Sequence, residues 1–546
     1  MTHVIAGGCI NDGSCVSVCP VDAIWPRPGD AAFLSSEQLY IDPSVCIDCG
    51  ACLSECPVEA IRAESDLPAG LEMYSELNAA YFAPTGAAAE TEVATAPPRA
   101  LRPPKGEAQG LRVAIIGAGP SGCFLAESLR GLTGVEIALF DRLPTPFGLV
   151  RAGVAPDHPK TKQATRMLER ILRQKNVTCY FGVEIGVDIT LDELRRRHHA
   201  VVFAGGVEGG RALGVPGEDL PGVVTAAEIV SWYNGHPDFT DQVIDLSGTS
   251  AVIIGNGNVA LDIARLLTVD PESLAETDIA DHALDALRTS RLETVHVVGR
   301  RGPHDAGFTA SEYLRFEHDV ARVETVAADF TRTAAPTDTR PRSVSSGFKA
   351  RQAMRERPQP GGEGRTAVFR YGLTPVVISG DRAVEAVEFR HTGTDTVERV
   401  PASVVITAIG FTTAHLPGLA INAAGNALLN TDGRIVGADG EPEAGLYCVG
   451  WAKRGPSGSI GTNRECSIET AGLIVEDFRK GLLPPVVVAA DDQGFIRSRQ
   501  PNVIDRLAWN RVDDAEKRAG RSAGRSRSKF FTIDDMLFAA RNPSNQ

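Results

Sequence analysis

The sequence predicts a small α+β domain followed by two α/β units built on parallel sheets. Three observations predict it. Seven of the eleven cysteines fall within the first 56 residues, at spacings that suit metal ligands rather than disulfides. A short apolar strand, a glycine-rich turn and a helix-forming run follow one another from Leu111, and the same order recurs from Ala251. Strand and helix signals alternate through both regions, which implies parallel sheets covered by helices. A chain of 546 residues is also too long for one hydrophobic core.

Bulk properties exclude several classes. The formal net charge of −14 lacks the basic footprint of a nucleic-acid binder. No uninterrupted apolar run reaches the ~18 residues of a membrane span, and the start, MTHVIAGGCIND, has no basic-then-apolar leader pattern. Cys123, Cys179, Cys448 and Cys466 are scattered in apolar settings and read as core filler. A reducing, cytoplasmic setting is therefore expected.

Residues 1–63 carry Cys9-x5-Cys15-x3-Cys19-Pro20 and Cys46-x2-Cys49-x2-Cys52-x3-Cys56-Pro57. Thiolates two residues apart on a tight loop can wrap one cubane iron–sulfur cluster, while the cysteine before proline crosses to the other. One cluster is thus expected on Cys46, Cys49, Cys52 and Cys19, and the other on Cys9, Cys15 and Cys56. Counting in threes from Cys9 puts Asp12 where a fourth thiolate would stand. A carboxylate is a harder, weaker ligand for that iron, so the expectation is one [4Fe-4S] and one [3Fe-4S] cluster, with a second [4Fe-4S] held by Asp12 as the rival. Zinc closes with four ligands and does not account for seven cysteines. The block resembles bacterial two-cluster ferredoxins over residues 1–63. Its eight acidic and two basic residues (Arg27, Arg62) suit docking onto a basic face.

Residues 64–110 turn rich in Ala, Pro, Gly and Thr and read as a linker, which would keep the first domain at high local concentration beside the rest. A first Rossmann-like unit spans 111–208. Its strand at 111–116 leads into Gly117, Gly119 and Gly122, which permit a tight turn, close pyrophosphate approach and helix–strand packing. The next strand ends at Asp141, an acid placed to bond a ribose hydroxyl.

The second unit, 209–400, opens with Gly255-Asn256-Gly257-Asn258-Val259-Ala260. Its following strand ends in Arg300 and Arg301 rather than an acid, which favours a 2′-phosphate and hence NADP(H). About 45 residues separate Gly255 from these arginines, against a usual ~20, and an acidic excursion near 269–288 is expected to account for the excess. A long polar excursion covers 333–365, and 401–546 completes the chain.

Four segments carry a resemblance: PFGLVRAGVAPDHP at 146–159, GNGNVALD at 255–262, RRGP at 300–303 with Phe308, Thr309 and Glu312, and WAKRGPSG at 451–458. Together they resemble the adrenodoxin-reductase family, FAD-containing ferredoxin–NADP reductases. With the N-terminal block, the whole resembles bacterial fusions of ferredoxin and reductase. The resemblance implies FAD at the first site and NADP at the second. It further implies a discontinuous FAD domain (111–208 and 401–546), with Val404–Gly410 as the returning strand. Leu149 and Val150 would border the flavin, and Asn256, Asn258 and Val259 the NADP pyrophosphate, with Glu312 at the NADP end. Trp451, Gly458, Ser459 and Ile460 would lie at the isoalloxazine and nicotinamide. His158 and Asp262 are candidates for proton handling or nicotinamide positioning, with a packing histidine as the plainer reading of His158. The implied reaction passes a hydride from NADPH to FAD. Single electrons then go to the fused clusters and on to an external acceptor such as a cytochrome P450 or another redox protein.

Two basic stretches could receive the acidic block or merely face water: the helix carrying Lys160 to Lys175, with apolar stripe Ala164, Met167, Leu168, Ile171 and Leu172, and the run from Lys517 to Lys529. The alternatives to the reductase reading are a glutamate-synthase small-subunit relative and a non-catalytic assembly subunit.

Overall fold

The computed structural model describes residues 2–30, 32–82, 102–326, 364–414, 416–437, 439–487 and 491–542. The polar excursion expected at 333–365 lies outside the described residues except for its last two.

The N-terminal block is α+β. Strand His3–Ile5 pairs antiparallel with Ile61–Ala63, Ile24–Trp25 pairs antiparallel with Tyr40–Ile41, and a short helix, Ala51–Glu55, lies between. Its apolar core is small: Ile5, Ala23, Ile24, Phe33, Leu39, Ile41 and Ile61 pack with the cysteines themselves. A domain of this size cannot bury enough surface to fold securely alone, so metal staples suit it.

The expected linker begins too early. Within 64–110, residues Met73–Phe82 form a helix that closes the N-terminal block. Its buried Asn78 accepts from the backbone amides of Ile5 (3.2 Å) and Ile41 (2.9 Å) and donates to the Ile5 carbonyl, while Tyr81 stacks on Tyr40 with ring centroids 4.3 Å apart. Composition hid this helix because alanine suits helix and linker alike. Residues 83–101 lie outside the described residues.

Two large sheets follow. In the first, the parallel strands Val177–Phe181, Glu136–Asp141, Arg112–Ile116, Ala200–Phe203 and Pro442–Cys448 lie side by side in that order, extended by antiparallel Arg434–Val436 and Asn430–Thr431. The second is wholly parallel, in the order Val223–Thr225, Val404–Thr407, Ser250–Ile254, Thr294–Gly299, Thr366–Tyr371 and Arg322–Val326. A three-stranded antiparallel sheet, Leu373–Ser379, Ala386–His391 and Val397–Pro401, packs against it.

The boundary expected at 401 needs correction. Val404–Thr407 does not return to the first sheet; it pairs with Ser250–Ile254 and Val223–Thr225 in the second. The chain crosses back one element later, where Phe411–Thr413 runs antiparallel to Val207–Gly210, so that outward and return crossings lie together. All four residues of Val404–Thr407 are buried, as they would be in either sheet, so the apolar pattern carries no hint of which. The excess length before Arg300 is ordered: a 3-10 turn at Pro271–Leu274 and a helix at Asp281–Thr289 bury Leu274, Ala283, Leu284 and Leu287.

The helix Ala164–Leu172 buries the expected stripe of Ala164, Met167, Leu168, Ile171 and Leu172. The C-terminal basic run is used internally: Lys517 and Arg527 pair with Asp513, Arg527 with Glu516, and fully buried Lys529 lies 3.0 Å from Asp278. No described helix is long and apolar enough to cross a membrane.

Candidate functional site

Both glycine-rich turns stand between strand and helix. Gly117 has φ +112°, and a Cβ there would come within 2.7 Å of the Ala204 carbonyl; one on Gly122 would lie 1.9 Å from the Gly117 oxygen. The helix they introduce, Pro120–Leu129, has Gly119 at its N-cap and no side chain capping it. Its first amides are therefore open to an anion. The second turn repeats the device: Asn258–Thr268 starts from uncapped Gly257, around which no atom stands within 4 Å of where a Cβ would be. Both cradles fit a dinucleotide pyrophosphate.

The ends of the following strands differ. Asp141 accepts from the amides of Ala118 (2.9 Å) and Leu143 (3.0 Å), so its carboxylate braces the turn. Burial raises its pKa, the two amides and the charge of Arg142 opposing that rise. Arg300 and Arg301 are exposed, with no ion pair among the described residues. Asn256 and Asn258 accept from the amides of Gly307 (3.2 Å) and Thr309 (2.7 Å), fastening the turn to the segment before helix Ala310–Asp319. Val259 packs at the edge of the second sheet's core.

Leu149 and Val150 lie on the short helix Gly148–Ala152, Val150 buried and Leu149 half-buried. Trp451 opens the helix Trp451–Arg454 and donates from its indole to the Ser457 carbonyl at 3.1 Å.

His158 and Asp262 are brought together, in an ionic knot between the two α/β units. His158 Nε2 lies 3.2 Å from Asp262 Oδ1, and its Nδ1 is 2.9 Å from Arg315 Nη1. Arginine only donates, so Nδ1 accepts from Arg315, while Nε2 stands between the Asp262 carboxylate and Arg265 Nη2, 2.5 Å away. Fully buried Arg265 bridges Asp157 and Asp262, and Glu312 sits 4.0 Å from His158. The packing reading of His158 gains most from this arrangement, because both ring nitrogens have fixed neighbours.

The cysteines divide into two sets. Cys19, Cys46, Cys49 and Cys52 line one cavity with His3, Ile24 and Gly50. Cys9, Cys15, Cys56 and Asp12 form the other set, close enough that each thiolate would raise its neighbours' pKa. Burial, then mutual repulsion, pushes Cys9 up to about 12 and Cys52 up to about 11. Bare thiolates are thus unfavourable, and a cationic cluster is what such a donor set fits. Burial also raises Asp12, whose carboxylate accepts from the Ser14 hydroxyl.

The inner set is joined to the α/β part. Ser459 Oγ and the Gly461 amide both donate to the Ile10 carbonyl, each at 2.7 Å. Ile10, Val58 and Ala60 share the core of the first α/β unit, against which Cys9, Cys56 and Ile460 also pack. Gly458 has φ +82°, and the helix Thr462–Arg479 starts directly beyond. Elsewhere Tyr74 donates to the Ser311 carbonyl (2.8 Å), Glu37 accepts from the Ala310 amide (3.1 Å), and Lys160 lies 3.6 Å from Glu59. Among the described residues, only the start of the expected basic stretch takes part in an ion pair with this block. These contacts dock the N-terminal block directly, so high local concentration is not its only hold. No local motif announces Gly461, Glu37 or Tyr74 in these roles.

Comparison with known proteins agrees with this geometry. Residues 7–60 match the 4Fe-4S dicluster domain, and residues 115–170 the NAD(P)-binding Rossmann-like domain. The chain is 41% identical to the probable ferredoxin/ferredoxin–NADP reductase of Mycobacterium tuberculosis, over 99% of its own length and 95% of that protein's. It is 36% identical to the mitochondrial NADPH:adrenodoxin oxidoreductase of Arabidopsis thaliana, over 79% and 96%. Among solved structures, Mycobacterium tuberculosis FprA in complex with NADPH superposes with a TM-score of 0.71 at 34% identity, covering 79% of this chain and all of that one. The near-full-length match decides against the glutamate-synthase alternative.

Proposed function

This chain belongs to the family of ferredoxin/ferredoxin–NADP reductases, and from that premise we propose how its residues divide the work. The protein is an FAD-dependent oxidoreductase linking NADP(H) to its own iron–sulfur ferredoxin domain. A flavin converts the two-electron hydride of NADPH into single electrons that clusters can take. The chain's task is therefore to bind, orient and shield.

Gly117, Gly119, Gly122 and the uncapped helix start beyond them hold the FAD pyrophosphate, with Asp141 bracing the turn beside the ribose. Leu149, Val150, Trp451, Gly458 and Ile460 enclose the ring end. Gly255, Asn256, Asn258 and Val259 receive the NADP pyrophosphate, while Arg300 and Arg301 read the 2′-phosphate. His158, Asp262 and Glu312 position the two α/β units about the nicotinamide. Cys19, Cys46, Cys49 and Cys52 hold a [4Fe-4S] cluster; Cys9, Cys15 and Cys56 hold a [3Fe-4S] cluster, which Asp12 would complete to four irons. Electrons leave to a soluble one-electron protein of the cytoplasm, a cytochrome P450 being one such acceptor.

The observation that carries this reading is the pair of hydrogen bonds from Ser459 and Gly461 to Ile10, which join the inner cysteine set to the ring-end segment. Anaerobic mixing with NADPH, and separately with NADH, tests it. Flavin bleaching by NADPH, followed by a cluster EPR signal and with NADH much slower, is the expected result. A flavin that bleaches while the clusters stay oxidised would separate the two halves functionally. No response in either overturns the assignment.

A further inference from the structure

We propose that the face around Cys49 is the port at which the external acceptor docks. Its occupant is a soluble one-electron redox protein presenting a basic rim around an apolar centre. The proposal rests on the reductase reading above and specifies where that reading ends.

Of the seven cluster cysteines, Cys49 alone is exposed. Around it stand large apolar side chains left in water: Val45 is 41% exposed, Ile47 59% and Leu53 39%. A single exposed aliphatic residue is ordinary, but three within nine residues, grouped about an exposed ligand, mark a contact surface. Acidic groups flank them. Among the described residues Asp48 has only His3 as an ion-pair neighbour, at 3.0 Å, and Asp42 and Glu55 have no ion-pair partner. The partner must therefore supply the opposite charge at its rim and an apolar centre.

The rest of the domain leaves little choice of face. Ile10, Glu37, Glu59 and Tyr74 are engaged by the α/β units. The inner cysteine set lies on that covered side, so an incoming protein meets the outer set. The reaction balances as NADPH plus two oxidised acceptors giving NADP⁺, one proton and two reduced acceptors. Two docking events are thus needed per hydride, and a small apolar patch with steering charge gives the weak, rapid association this requires.

The test uses the full-length holoprotein, with cytochrome c as a basic haem-protein probe. Carbodiimide joins carboxylates to lysines in contact, and the joined peptides are mapped by mass spectrometry. Links at Asp42, Asp48 and Glu55 are expected at low ionic strength. They should vanish near about 1 M salt, where the Debye length falls to about 3 Å. Leu53→Arg combined with Glu55→Lys should raise the KM for cytochrome c about tenfold or more, since like charges then face each other. Iron content and the NADPH-driven EPR signal verify that the variant is folded. Asp241→Lys with Val243→Arg, the same kind of charge change on the other domain, should leave that KM alone. Links mapping to other surfaces, or an unchanged KM in the Leu53/Glu55 variant, would overturn the proposal. So would a dimer that dissociates in that variant, because the face would then be an interface between copies. Cross-linking needs no turnover, so failure of NADPH to reduce flavin or clusters would count against the reductase reading and leave the docking result to stand separately.

Discussion

The two cysteine sets are near twins in sequence and opposites in setting. Each combines closely spaced thiols with a cysteine before proline from the other half of the motif. Yet the inner set shares the apolar core of the first α/β unit through Ile10, Val58 and Ala60, whereas the outer set opens on a run exposed at 43–45, 47–49 and 53–55. Ligand spacing suits each set to a cluster, and on the proposed reading the domain packed against it decides whether that cluster receives electrons or delivers them. Exposure and local charge also tune cluster potential, so docking alone gives twin sites different properties.

The largest effect should come from removing one ligand on each side. Cys56→Ser is expected to empty the inner site and, with it, to stop NADPH-driven reduction of the outer cluster. Cys49→Ser should empty the outer site while leaving the inner one reducible. Iron content and EPR after anaerobic NADPH addition distinguish them, and identical behaviour of the two variants would collapse the comparison.

A smaller effect is expected at the joint itself. A Cβ on Gly461 would lie 2.4 Å from Asn11 C and from the Asp12 amide nitrogen, backbone atoms that cannot swing aside. Gly461→Val should cost about 1–3 kcal/mol of docking, roughly a 5- to 150-fold loss of the docked arrangement. Stopped-flow records would show cluster reduction lagging flavin bleaching. Smaller again is the order of cluster loss. A chelator under mild oxidation should bleach the outer cluster several times faster than the inner, a difference read from the two EPR signals.

What the sequence disclosed follows from range. Cysteine spacing, the two glycine turns and the stripe from Ala164 to Leu172 are local patterns, and each specifies its own structure. The hydrogen bond between Ser459 and Ile10 spans 449 positions, and no periodicity encodes it. Helix Met73–Phe82 was obscured for a related reason: its stability comes from Asn78 and Tyr81 gripping strands more than thirty residues away, against a weak intrinsic preference. Arg265 looks like an ordinary helix arginine until the fold buries it between Asp157 and Asp262.

Asp12→Cys sharpens the comparison by making the inner set resemble the outer. A fourth thiolate would replace a carboxylate, a harder and weaker ligand for that iron. If the inner site holds three irons, the substitution should add a fourth and replace the EPR signal of the oxidised protein with one seen only on reduction. Flavin bleaching by NADPH should change little, because the hydrogen bonds joining this segment to the reductase run to the Ile10 carbonyl, and among the described residues of the reductase only the charge of Arg464 reaches the Asp12 carboxylate. An iron content unchanged by Asp12→Cys, with the oxidised signal absent from both proteins, would mean that the native inner site already holds four irons. The two sets would then differ in setting alone, and the contrast between them would rest wholly on docking.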